Sequence, residues 1–249
     1  MLIDNHIHTG WFKGHYYSAQ YVWNEIQSTG IDRVAISSLS SVSQGFHKTA
    51  IREIKEMQRL GKDRIIPLLW VCPNMFKPKG EYVLRELLHS GIDWQGIKIH
   101  YYMHPEWQRN KALASKAFAL ARQMQLPILA HTGGSLESDA GVFLEIARTN
   151  SDVTIILAHG RPIDEAIEVI QNCPNTMVDT AFMPMEDQKK LVENGFTSRM
   201  LFGTDIPINK YYYPQMPTSE FVQKHLDELR SVTTDEQYQQ ILSNTPFKK

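Results

Sequence analysis

Near the start of the chain, Asp4-Asn5-His6-Ile7-His8 places two histidines one residue apart. Residues two apart on a β-strand project to the same side. If Leu2, Ile3 and Ile7 mark a buried strand, His6 and His8 form a pincer. A lone buried histidine is usually a hydrogen-bonded core residue; a same-side pair at a strand end suits a metal ion if other segments supply further ligands. Several do: Lys98-Ile99-His100, His131, His159 and Asp205 each close a short apolar run. Five of the ten histidines thus fall at predicted strand ends, whereas His47, His89 and His225 fall elsewhere, on helices or loops. Three imidazoles and a carboxylate make a good ligand shell for a divalent ion and can leave a position for water, whose pKa the ion lowers toward about 7. A further histidine beside that water could orient it or take its proton. Imidazole and carboxylate do not single out zinc, and manganese, iron and cobalt stay open.

The elements that must position these groups follow from the hydrophobic pattern. Short apolar or β-branched runs are LIDNHIH, RVAISS, IIPLLWV, GIKIH, PILAH, VTIILAH, TMVDTA and RMLFGTD, most of them separated by segments of helical period such as EYVLRELLHSG and NKALASKAFALARQMQ. Strand starts recur roughly every 23 to 32 residues, the length of a strand–helix–return unit. This alternation predicts an α/β fold, a single (β/α)8 TIM barrel over residues 1–249, with closing C-terminal helices from about Thr218 to Leu242. An open doubly wound sheet is the runner-up; it would want a glycine-rich phosphate loop after the first strand, which HTGWFKGHYY matches poorly. In a barrel the strand C-termini converge on the active site. On GIKIH, Gly96, Lys98 and His100 share one face and Ile97 and Ile99 the other. If the isoleucines pack against helices, Lys98 points into the mouth, where it must pair with an anion or be modified.

Composition narrows the partners. Lys+Arg 26 against Asp+Glu 27 gives a formal net charge of −1, without the basic excess of a nucleic-acid binder. The locally basic segment IREIKEMQRLGKDR interleaves acids at helical spacing and reads as a solvated helix face. Cys72 and Cys173 form no C-x-x-C pair, which fits a reducing cytoplasm. No apolar run approaches a membrane span, and with the first strand starting almost at Met1 no signal peptide is expected.

Taken together and in order, H-x-H, G-I-K-I-H, A-H-T-G, L-A-H-G and F-G-T-D-x-P resemble the amidohydrolase superfamily. The nearest part of it is the amidohydrolase-related branch that includes aminocarboxymuconate-semialdehyde decarboxylase. The resemblance runs from residue 3 to about residue 207, and ILSNTPFK resembles the branch's final helix. It implies that His6, His8, His131 and Asp205 hold one divalent metal ion, zinc first, and that His159 activates the bound water while Asp205 also moves a proton. In binuclear members a lysine at the Lys98 position is carboxylated and bridges two metals, with His131 and His159 on the second ion. The context of Lys98 and His100 looks more like the mononuclear branch. Metal-dependent deoxyribonucleases share the first and last motifs but usually carry a glutamate ligand at the fourth strand. Histidinol-phosphatase-like phosphoesterases also begin with H-x-H but need more histidine and acidic ligands than the motifs here place; both classes stay open and neither is favoured.

Loops after the first, fourth, seventh and eighth strands are rich in aromatic residues and methionine: WFKGHYY, YYMHPEW, FMPM and KYYYPQMP. Tyr101, Tyr102 and Tyr211 are therefore candidate walls of a small-molecule pocket, although a homodimer interface would have the same composition. Arg161 could clamp a substrate carboxylate or cap a loop. Asp4 and Asp179 read as partners of the site and not as ligands. The expected activity is metal-dependent hydrolysis of an amide, ester or lactone. Non-hydrolytic decarboxylation of an unsaturated or aromatic acid is the alternative, and a catalytically silent binding barrel the third reading.

Overall fold

The computed structural model describes residues 1–42 and 46–247. Its strands are β1 (Ile3–Phe12), β2 (His15–Tyr17), β3 (Arg33–Ser38), β4 (Ile65–Trp70), β5 (Gly96–His100), β6 (Ile128–His131), β7 (Ile155–Ala158), β8 (Thr176–Asp179) and β9 (Met200–Leu201). All but β2 coincide with expected runs. Helices Ala19–Gln27, His47–Gly61, Glu81–Leu88, Lys111–Met124, Phe143–Thr149, Ile163–Asn172, Met185–Glu193 and Thr218–Ser231 follow in alternation, and Asp235–Ser243 closes the chain. This is the mixed α/β order of a (β/α)8 barrel. Among the described residues no helix is long and apolar enough to cross a membrane.

Two compact units divide the chain, Met1–Pro67 with Asp179–Thr245, and Leu68–Val178 with Pro246–Lys249. In the first, β1 runs parallel to β3, and β3 to the first half of β4. The other edge of β1 meets the segment after β9: Asn5 N–H donates to the Phe202 carbonyl at 2.9 Å and His8 N–H to that of Ile206 at 2.7 Å. The register of β1 against β3 shifts between Asp4 and Ile7. Such a bulge re-aims side chains, and here Asp4 supports it by accepting the His6 N–H at 3.0 Å.

The segment WFKGHYY, expected as a loop, is instead a hairpin: β1 runs on to Phe12 and turns back into β2, pairing Gly10 with Tyr17 and Phe12 with His15. Lys13 and Gly14, at φ 45° and 83°, form the two-residue turn. Positive φ at both positions matches the twist of antiparallel strands, and glycine takes it without strain.

In the second unit the rest of β4, β5, β6, β7 and β8 pair in parallel, with His100 opposite His131 and His131 opposite Ala158. Ile128-Leu129-Ala130 and Ile155-Ile156-Leu157-Ala158 are fully buried, the near-continuous apolar runs of parallel strands covered on both faces. Helix Lys111–Met124 starts where the Asn110 side chain accepts the Leu113 N–H and ends at left-handed Gln125.

The basic segment read as a solvated face forms helix His47–Gly61, but Ala50, Glu53, Ile54 and Met57 are buried along one stripe. The charges that interleave at helical spacing occupy the remaining faces, and Glu53 is the exception that points inward.

Candidate metal centre and its surroundings

In the first unit, His6, His8 and Asp205 converge. Asp205 Oδ1 lies 3.1 Å from His8 Nε2 and 3.8 Å from His6 Nε2, and the two imidazoles meet edge to face at 5.0 Å. All three residues are buried. The other ring nitrogens are engaged on the far side: Asp179 Oδ2 is 2.9 Å from His6 Nδ1, and Ser37 Oγ is 2.9 Å from His8 Nδ1. Outer partners of this kind fix ring orientation and leave Nε2 for a ligand. Backbone geometry reinforces the arrangement, because Asp205 N–H donates to the His6 carbonyl at 2.7 Å. Asp205 has a left-handed φ of 62°, a conformation that aspartate tolerates better than most residues.

Asp4 stands behind this cluster. Its carboxylate accepts the Thr204 hydroxyl at 2.5 Å and the Thr204 N–H at 3.1 Å, tying the bulge of β1 to the residue before Asp205. Burial pushes its carboxyl up to about 7 despite those bonds. Glu53 clamps the neighbouring strand ends, accepting hydroxyls of Ser38 at 2.5 Å, Ser40 at 2.9 Å and Thr9 at 3.3 Å. Thr9 and Ser38 follow His8 and Ser37 directly, so the clamp holds the pair that orients the His8 ring.

In the second unit the predicted residues form an aromatic stack. The His100 ring lies on His131 at 3.8 Å and 15°, with Trp70 5.8 Å from His100 at 14°. His159 meets His131 edge to face at 4.8 Å and has a left-handed φ of 71°. Lys98 is fully buried with its Nζ 5.8 Å from the Trp70 ring centre. Arg161 reaches the same loops: its N–H donates to Thr132 Oγ1 at 2.9 Å. Its stem lies so close to Gly133 that a Cβ there would come within 2.7 Å of it. Tyr102 is 6.3 Å from both His100 and His131 and about half exposed.

Tyr101 goes elsewhere. It is 1% exposed and packs on Phe143 at 5.1 Å and Trp107 at 6.4 Å, and burial pushes its phenol well up. Adjacent residues leaving a strand diverge, so only Tyr102 of the pair flanks the imidazoles. Tyr211, in the first unit, packs on Phe12 of the hairpin at 5.4 Å, with Lys13 Nζ 4.5 Å over its ring.

The sequence reading missed three residues. Ser37 shows only as a polar end to an apolar strand. Glu53 and His225 each interrupt a buried helical stripe, beside Ala50, Ile54 and Met57 in one case and Val222 and Leu229 in the other. A polar residue at a core-facing helical position was the available signal. The sequence pattern places His225 away from the site, on a helix or loop; the structure buries it, with Nε2 2.9 Å from Thr180 Oγ1.

Burial lowers the His225 pKa to about 4 from the ordinary 6.5. Because the folded form resists protonation, this contribution to stability is complete above pH 6.5 and is lost as pH falls toward 4. The difference of about 2.5 units corresponds to about 3 kcal/mol. Asp4, raised to about 7, has the opposite sign, stabilising as pH falls, so a variant is needed to isolate His225. Urea unfolding of wild type and His225→Gln at pH 7.5 and 4.5 should show an acid loss about 2–3 kcal/mol smaller in the variant. Equal losses would refute the assignment.

Residues 46–248 match the family model described as amidohydrolase. No curated protein sequence matches the chain. Among solved structures, an amidohydrolase from Burkholderia multivorans with bound zinc is similar at TM-score 0.70 and 10% identity, covering 98% of this chain and 96% of that one. The 5-carboxyvanillate decarboxylase of Sphingomonas paucimobilis aligns at TM-score 0.69 and 10% identity over 97% and 96% of the two chains. A probable 2-pyrone-4,6-dicarboxylic acid hydrolase from Acinetobacter baumannii, with citric acid bound, aligns at 0.65 and 10% identity over 98% and 99%. At such identities the likeness establishes the fold, and it covers nearly the whole chain.

Proposed function

This chain belongs to the amidohydrolase family, and we propose that within it the protein is a metal-dependent hydrolase of a small organic amide, ester or lactone. The observation that carries the reading is the buried convergence of His6 Nε2, His8 Nε2 and an Asp205 oxygen, with the opposite ring nitrogens held by Asp179 and Ser37. Two imidazoles and a carboxylate, oriented from behind, suit a divalent ion. By the motif resemblance His131 is the remaining ligand. A divalent ion in such a site acts as a Lewis acid and lowers the pKa of water toward about 7.

The protein's own groups do the rest. His159 accepts one proton of the attacking water, and Asp205 takes the other and passes it to the leaving group. Arg161 and Tyr102 orient the substrate, the arginine through a carboxylate and the tyrosine through its exposed ring. Lys98 remains an unmodified amine beside Trp70 in a site for one ion, and zinc is the metal.

Decarboxylation of an unsaturated or aromatic acid is the second reading, favoured by Arg161 standing over Gly133 next to the His131 loop. Release of carbon dioxide without net uptake of water separates it from hydrolysis. The experiment that tests the primary reading is metal content per chain by elemental mass spectrometry, on protein prepared without chelators or an affinity tag. About one zinc per chain supports it, and about two would make Lys98 a carboxylated bridge. None, even after incubation with zinc or manganese, overturns it.

A further inference from the structure

His225 sits on helix Thr218–Ser231, on the same buried stripe as Thr218, Val222 and Leu229. Its neighbours are the ends of two strands. Nε2 is 2.9 Å from Thr180 Oγ1, the ring also hydrogen-bonds the Gly203 backbone, and Phe202 packs 5.3 Å away. Gly203 N–H donates to the same Thr180 hydroxyl at 3.3 Å, and Thr180 N–H to the Leu201 carbonyl at 3.0 Å. The imidazole therefore completes a closed hydrogen-bonded set that joins the end of β8 to the segment after β9.

Both partners adjoin the metal cluster. Thr180 follows Asp179, whose carboxylate lies 2.9 Å from His6 Nδ1. Gly203 is two residues before Asp205, and a Cβ on it would lie 3.2 Å from His6 Cβ and 3.3 Å from Asp179 Cβ. A side chain at Gly203 would crowd both residues, so the glycine backbone packs directly against His6 and Asp179.

We propose that His225 is a positioning residue: through Thr180 and Gly203 it holds Asp179 and Asp205 in register with His6, and thereby sets the site's affinity for its divalent ion. The proposal rests on the metal-site reading above. It differs from plain core packing because the hydrogen bonds matter, and not only the volume of the ring.

The test is the zinc dissociation constant of the full chain at pH 7.5, measured by competition with a chromogenic chelator. His225→Phe and Thr180→Val should each weaken zinc binding about 10- to 100-fold, the range for partners that orient ligands. His225→Gln, which keeps donor and acceptor, should stay within about threefold of wild type. Leu229→Ala, a cavity on the same stripe, should lower stability while leaving zinc affinity within that same range. Wild-type affinity in His225→Phe overturns the proposal alone, as does an equal loss in Leu229→Ala. If His225→Phe does not fold, wild-type affinity in Thr180→Val overturns it. A wild-type chain that binds no zinc overturns the metal-site reading and this proposal together.

Discussion

Replacing Asp205 by alanine is expected to lower turnover of small ester or lactone substrates by about 10³-fold or more and to reduce bound metal. The carboxylate lies 3.1 Å from His8 Nε2 and 3.8 Å from His6 Nε2, so under the proposed mechanism its removal takes away a ligand and a proton carrier at once. The backbone bond from Asp205 N–H to the His6 carbonyl survives in either variant. Alanine at a φ of 62° adds strain of about 1–2 kcal/mol, which is why Asp205→Asn should be made beside it. Asparagine tolerates the left-handed backbone and keeps the shape, removing only the charge. Circular dichroism, metal content and kcat/KM on both proteins would separate folding from chemistry. Wild-type turnover in a folded Asp205→Asn protein would sink the proposed mechanism.

The second large effect is expected at His159. A glutamine there should reduce kcat by about 10² to 10⁴-fold, the usual contribution of a positioned general base, while metal content stays at the wild-type level. The side chain stands edge to face with His131 at 4.8 Å on a left-handed backbone, which argues for a position set by chemistry and not by packing alone. A pH–rate profile should also lose the limb due to the imidazole, because glutamine does not titrate. Loss of metal to the extent seen in Asp205→Ala would reassign His159 as a ligand. Unchanged kcat and an unchanged profile would remove it from the mechanism.

Much of the scaffold was legible before any coordinates. Strands such as Gly96–His100 and Ile155–Ala158 are short β-branched runs bounded by turns, and Lys111–Met124 is an alanine-rich segment with a suitable cap at its start. These are local properties, because side-chain alternation and helix capping act over a few residues. His131 ends β6 and His159 directly follows β7, as the local pattern indicated, whereas His6 and His8 lie inside the longer β1 and Asp205 lies beyond β9; the family followed from the order of the motifs.

The local signal failed where tertiary contacts compete with it. The apolar run LIDNHIH ends at His8, so the segment WFKGHYY reads as a loop, yet the Lys13-Gly14 turn permits strand pairing beyond it. Tyr101 and Tyr102 are chemically alike and adjacent, and only packing on Phe143 and Trp107 decides that the first is buried.

What the sequence by itself determined is the element order, the inward faces of the strands and the residue types offered at their ends. What only the tertiary structure decided is which groups meet. Ser37 reaches the His8 ring from 29 residues away, Thr180 reaches His225 from 45 and Thr204 reaches Asp4 from 200. Periodicity tells which side of an element faces the core, but it carries no record of the partner that will stand opposite. That partner is selected by close packing and by the cost of leaving a buried polar group unbonded, and both act only once the chain has folded.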